Sequence, residues 1–241
     1  LYVHFTMDDN LSLSEEIKAR YRSMYTGVFF KRYILGLWAM AEGIIYDMFD
    51  ADKHVQKITD FFRCLKDGGR YVSCDYGTQN ATVFLLWNKG NNGKWYCVRE
   101  YYYSGRAKGK QKTDGEYADD FEKWLDGVPI RAVIVDPAAA SFIAELRKRG
   151  YRVLKADNDV EDGIREVASM LNMGLLVFCD TCINTIMEFG SYIWDEKAAQ
   201  QGEDRPVKEN DHAMDAVRYF VYTILSKRTG RVKNKAKYGF D

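Results

Sequence analysis

The chain has 241 residues, 46% of them hydrophobic, enough to bury one α/β core, with or without an extension. Lysine plus arginine equals aspartate plus glutamate at 35 each, so no overall field draws the protein to nucleic acid, and a polyanion site has to come from local clustering. The five scattered cysteines are an odd number, which argues against a disulfide framework and for reduced thiols in a cytosolic setting. No apolar run reaches the length of a membrane span, so no membrane partner is expected. Leu1, not Met, opens a strand-like run to Thr6, which reads as the internal start of a longer polypeptide.

Residues 1–58 differ in character from the remainder and read as a connector that packs onto a neighbouring domain. Ser14, followed by Glu15 and Glu16, caps a helix over Ile17–Tyr25. Leu35 to Tyr46 is apolar but broken by glycines, and Asp50 to His54 is the expected joint. From Arg70 onward strands and helices alternate. Strands are predicted over Tyr71–Asp75, Thr82–Trp87 and Trp95–Tyr103, with Gly77 to Asn80 and Asn91-Asn-Gly93 as turns. A polar, Lys- and Gly-rich loop, 104–115, precedes a helix over Glu116–Leu125. Arg131–Val135 is a buried strand stopped by Asp136-Pro137, and Ala138–Arg149 is a helix closed by Gly150. Strand Tyr151–Leu154, an Asp159-capped helix through Leu171, strand Leu175–Phe178 and helix Ile183–Tyr192 follow. Trp194 to Glu209 reads as a polar loop, and Asn210 or Asp211 caps a last helix through Leu225. The tail 227–241 is basic and reads as mobile.

Three hairpin-linked strands followed by helix, strand, helix, strand describe a mixed α/β sheet flanked by helices. The pattern resembles the ribonuclease H-like fold, whose first strand lies at the sheet centre.

Two acids stand out. Asp75 ends an apolar strand and Asp136 repeats that placement, where open α/β sheets build their sites. An ionised carboxylate is rarely buried without a cationic partner, and a metal ion is an economical one. A turn-forming Asp before Pro is the ordinary alternative for Asp136. The third element is Asn210-Asp-His212-Ala-Met-Asp215, where His212 and Asp215 share a helical face. Met214, Val217, Val221 and Leu225 form a separate apolar stripe. Asp211 reads as helix-dipole stabilisation and is left outside the site. Together these groups suit two hard divalent cations, Mg²⁺ or Mn²⁺, held roughly 4 Å apart to clamp an in-line phosphoryl displacement.

The chain resembles the C-terminal nuclease domain of the large terminase subunit of tailed bacteriophages. The resemblance is carried by Trp38-Ala-Met-Ala-Glu42-Gly-Ile-Ile-Tyr46, Ser73-Cys-Asp75-Tyr-Gly, Val135-Asp136-Pro, Asn158-Asp-Val-Glu-Asp162-Gly-Ile and Asn210-Asp-His212-Ala-Met-Asp215-Ala. It implies a metal-dependent endonuclease over residues 59–226 that cuts double-stranded viral DNA concatemers during packaging, in the cytoplasm of an infected or lysogenic host. Asp75, Asp136 and Asp215 would be ligands, with His212 a further ligand or proton handler. The implied partners are DNA, an ATPase domain, a small terminase subunit and the portal. No G-x-x-x-x-G-K-[ST] loop is present, so residues 1–58 read as the connector from a missing ATPase half.

Arg106, Lys108, Lys110 and Lys112 are candidate DNA contacts, as are Lys233, Lys235 and Lys237 of the tail. The Trp194–Glu209 loop is expected to flank or cover the metals. Cys179 and Cys182 lack a second pair for zinc and read as structural thiols. Two rival readings stay open: another ribonuclease H-like enzyme of resolvase or transposase type, and a non-catalytic docking module of a packaging motor.

Overall fold

A computed structural model describes residues 4–78 and 80–226. The tail lysines Lys233, Lys235 and Lys237, and the expected tail 227–241 as a whole, therefore lie outside the described residues.

The sheet has seven strands: β1 (Val55–Gln56), β2 (Tyr71–Asp75), β3 (Ala81–Lys89), β4 (Trp95–Ser104), β5 (Ala132–Val135), β6 (Val153–Lys155) and β7 (Leu176–Cys179). Their spatial order is β1-β7-β4-β3-β2-β5-β6. The β2-β3-β4 meander is antiparallel, while β5 and β6 add in parallel on one side and β7 and β1 on the other. β2 is interior, between β3 and β5, and lies one place from the midpoint because β7 and β1 widen the far side. β1 is too short to leave a periodic signal in the sequence.

Alternation along the strands divides the core into two layers. Val72 and Cys74 of β2 and Val133 and Val135 of β5 face the helices Asp114–Leu125 and Ala140–Lys148. Tyr71 of β2 and Ala132 and Ile134 of β5 face the opposite layer, where the helices Val160–Asn172, Ile183–Ser191 and His212–Phe220 pack. By the same period of two, Ser73, Asp75 and Asp136 belong to that second face. Phe29, Ala41, Ile45 and Tyr46 from the N-terminal part join the same layer.

Ser14 caps the helix Glu15–Met24 by accepting from the Ile17 amide at 3.3 Å, as its sequence suggests. Two loops hold more structure than their composition indicates. The Lys-rich stretch after β4 contains a one-turn helix, Gly105–Lys108, and the next helix starts at Asp114 through a Thr113–Glu116 capping box. The expected loop Trp194–Glu209 contains the helix Glu196–Gln200, and its end is tied back where Trp194 pairs with Pro206. Trp194 is buried, so the segment is anchored to the core rather than draped over the pocket.

Candidate active site

The two strand-terminal aspartates are neighbours by register. β2 and β5 run parallel with Cys74 opposite Val135, and the next residue on each is Asp75 or Asp136. Both therefore emerge side by side at the carboxyl edge of the sheet, on the face covered by the C-terminal helix. That helix, His212–Phe220, continues through a π-helical turn, Val221–Leu225, with Met214, Val217, Val221 and Leu225 all buried. The buried stripe presses one side onto the sheet and turns His212 and Asp215 toward the strand ends.

Asp75, His212 and Asp215 line one open pocket of ≈ 540 Å³, together with Tyr76, Arg106, Lys208 and Asp211. The His212 imidazole Nδ1 lies 2.9 Å from Asp75 Oδ2. Burial pushes the Asp75 carboxyl up to about 6, partly opposed by the His212 hydrogen bond. For His212, burial pulls the other way, but the Asp75 carboxylate wins and raises the imidazolium. The pair thus holds a proton near neutrality, the behaviour of two coupled sites rather than of either alone.

Asp136 is not among the pocket's lining residues. Its Oδ2 accepts from the Tyr219 hydroxyl at 2.8 Å and its Oδ1 from the Ala138 amide at 2.7 Å. Tyr219 sits on the same C-terminal helix as His212, so one helix fixes both strand-end carboxylates. Asp215 is held by Arg218, whose Nη2 donates to Oδ1 at 2.8 Å. Arg218 is buried and also donates through Nη1 to the Asn158 and Asp159 carbonyls at 2.9 and 3.1 Å. The neighbouring Asp215 carboxylate keeps its guanidinium charged despite burial.

Among the candidate DNA contacts, Arg106 is exposed and lines the pocket. Lys108 is exposed outside it. Lys110 pairs with Glu116 at 3.6 Å, and Lys112 is drawn onto Asp120, with its ammonium 4.0 Å from the centre of the Tyr103 ring. Cys179 and Cys182 are buried, and Cys182 Sγ lies 3.8 Å from Cys97 Sγ.

Three site residues escape the sequence reading. Asp211 occupies the N-cap position of the last helix but makes no side-chain cap. Glu188, from the preceding helix, accepts from the Ala213 and Met214 amides at 2.7 and 3.2 Å and takes that role. Asp211 is thereby freed to face the pocket, where its Oδ2 lies 3.2 Å from Lys208 Nζ. Lys208 also lies 3.5 Å from Asp215 Oδ2. Adjacent acids at a helix start are the available signal for Asp211; Glu188 and Lys208 leave none, because tertiary packing brings them there.

Among the described residues, no group of three or more His, Cys, Asp or Glu side chains is gathered tightly enough to hold an ion unaided. Cationic side chains lie among the carboxylates instead, and Lys208 bridges two of them. The donor set, carboxylate oxygens with one imidazole, nevertheless suits a hard divalent cation.

Residues 74–223 match the family model described as Terminase RNaseH-like domain. The large terminase subunit of Escherichia phage T5 is 26% identical over 234 residues, covering 92% of this chain and 51% of that protein. A large terminase from a thermophilic bacteriophage, solved without nucleotide and with ADP, is 57% identical. Without nucleotide it superposes with a TM-score of 0.85 over 93% of this chain and 56% of that one. The nuclease domain of the bacteriophage SPP1 large terminase, solved with bound Mn, shares the fold at 17% identity, with a TM-score of 0.51 over 76% of this chain and 100% of that one. This chain spans about half the length of the first two of these large terminases. With its family model spanning both strand-end aspartates and the helix that faces them, the chain belongs to the terminase ribonuclease H-like domain family.

Proposed function

We propose that this domain is a metal-dependent endonuclease that hydrolyses double-stranded viral DNA during genome packaging. One observation carries the reading: Asp75 and Asp136 end neighbouring parallel strands in register, and a single helix supplies His212 and Asp215 beside them. Asp75, Asp136 and Asp215 would hold two divalent cations, Mg²⁺ or Mn²⁺, with His212 as a further ligand or proton handler. Bound there, the ions would promote attack by water and stabilise the departing 3′-oxygen.

The protein's own part is positioning. Arg218 fixes the Asp215 carboxylate, Tyr219 fixes Asp136, and His212 fixes Asp75 while carrying a proton at Nδ1. Arg106, exposed at the pocket wall, is placed to meet a phosphate of the DNA backbone. Since the large terminases it matches are about twice as long, the chain would act joined to an ATPase domain, with residues 1–58 as the connector. The small terminase subunit, the portal and concatemeric DNA in the host cytoplasm complete the proposed setting.

The test incubates supercoiled plasmid with the protein in Mn²⁺, Mg²⁺ or chelator, beside Asp75→Ala. Metal-dependent nicking and linearisation, lost in the variant, is the expected result. Cleavage that survives Asp75→Ala rejects the site, and a folded, metal-loaded protein that does not cut rejects the activity.

A further inference from the structure

Lys208 has no part in the reaction as proposed, yet its ammonium lies inside the acidic pocket. Nζ is 3.2 Å from Asp211 Oδ2 and 3.5 Å from Asp215 Oδ2, so one cation bridges two carboxylates. Those carboxylates hold the Lys208 charge against partial burial. The backbone around it is pinned: the Val207 amide donates to the Ile193 carbonyl at 2.9 Å, and Pro206 pairs with Trp194. On the other side Asn210 adopts a left-handed conformation with φ 50° and leads into the C-terminal helix. With the main chain fixed, only the side chain can leave, and at 64% exposure it has solvent to move into.

Arg218 differs in kind. It is 2% exposed and tied to two backbone carbonyls as well as to Asp215, so it stays with its carboxylate. Asp211 is not needed as a helix cap, because Glu188 takes the Ala213 and Met214 amides. The Lys208–Asp211–Asp215 bridge therefore serves neither the helix start nor the apolar core.

We propose that Lys208 is a placeholder cation, holding the Asp211 and Asp215 carboxylates together in the metal-free protein and swinging out when a divalent ion enters. The proposal rests on the metal-binding reading above. Crowding Asp75, Asp211 and Asp215 into one pocket is unfavourable unless positive charge accompanies them. The ammonium supplies one charge at hydrogen-bonding distance, whereas a divalent ion supplies two at about 2.1 Å from each oxygen. The ion therefore displaces the lysine, and the two ion pairs that must first break lower the metal affinity.

Calorimetric titration of Mn²⁺ and Mg²⁺ into the whole chain at about pH 8, where ordinary carboxylates are ionised, tests this. Lys208→Ala is expected to bind on the order of tenfold more tightly than wild type, with Lys208→Arg close to wild type. In parallel, acetylation of Lys208 followed by peptide mass spectrometry should accelerate when Mn²⁺ saturates the wild-type protein. Thermal melts followed by circular dichroism confirm that each variant is folded. Equal or weaker binding by folded Lys208→Ala, or acetylation indifferent to the ion, overturns the placeholder and leaves the metal site standing. No Mn²⁺ binding by wild type or variants overturns both.

Discussion

His212 Nδ1 lies 2.9 Å from Asp75 Oδ2, joining the first residue of the last helix to the last residue of β2. This contact lowers the Asp75 carboxyl against the burial that raises it to about 6. In His212→Ala that opposing contribution is gone, so the carboxyl moves further up and more protons compete with metal at neutral pH. The acid limb of the pH–rate profile is expected to move toward higher pH. Mn²⁺ affinity at neutral pH should fall about 10- to 100-fold. A profile and an affinity identical to wild type would remove His212 from the site.

Tyr219 is a positioning residue for Asp136, through the 2.8 Å bond from its hydroxyl. Tyr219→Phe keeps the ring in its buried place and deletes only that donor. Metal-dependent cleavage should drop by about 10-fold or more. Because the structural part of a lost hydrogen bond is about 1 kcal/mol, urea unfolding should change little. A full-strength response in the cleavage assay would mean that Asp136 is oriented by the Ala138 amide alone.

Gly163 is required by Arg218. A Cβ at Gly163 would stand 2.6 Å from Arg218 Cγ and 2.8 Å from Cδ. Arg218 cannot retreat easily, since its guanidinium is tied to Asp215, Asn158 and Asp159. Alanine gains about 1 kcal/mol of helix propensity, and overpacking costs about 1–3 kcal/mol, so the clash prevails. Gly163→Ala should lower the unfolding free energy measured in urea and weaken cleavage with it, because Asp215 loses its brace. A more stable Gly163→Ala protein would contradict this packing.

Glu188 supplies a pH dependence of folding. Burial raises its carboxyl from 4.5 to about 7, against hydrogen bonds from Tyr102 and the Ala213 and Met214 amides. Between those values the unfolded chain has lost the proton and the folded protein keeps it, so stability falls as pH rises through the window. At 1.36 kcal/mol per unit, the loss is on the order of 3 kcal/mol. Glu188→Gln keeps an oxygen for the two amides and removes the titration. Melting temperatures from about pH 4.5 to 7 should slope downward in wild type relative to the variant; parallel curves would count against it.

Elements whose residues carry a period or a stop are legible in the sequence. β2, β5 and β7 announce themselves as short β-forming runs, and Asp75 and Asp136 as carboxylates where such runs end. The His212–Asp215 spacing places both on one helical face. Side chains that arrive from afar are not legible. Glu188 caps a helix 25 residues later in the chain, and nothing local to either segment encodes that meeting. Position alone gives Asp211 the capping job, and only the presence of Glu188 frees it for the pocket. The helix Glu196–Gln200 is hidden in a polar stretch because its buried face is little more than Ala198 and Ala199.

The pairing of Cys74 with Val135 also sets a rule for length changes. In a strand, one added residue sends every later side chain to the opposite face. A single insertion between Ala132 and Val135 would leave β5 able to hydrogen-bond with β2 but would point Asp136 toward the helices Asp114–Leu125 and Ala140–Lys148. Two inserted residues would return it to the proper face, one pleat repeat, about 6.6 Å, beyond its partner. The distance between the two acids is thus counted out in whole residues from Tyr71 and Ala132, and natural length variation can collect in the turn before β5 while the strand itself keeps its count.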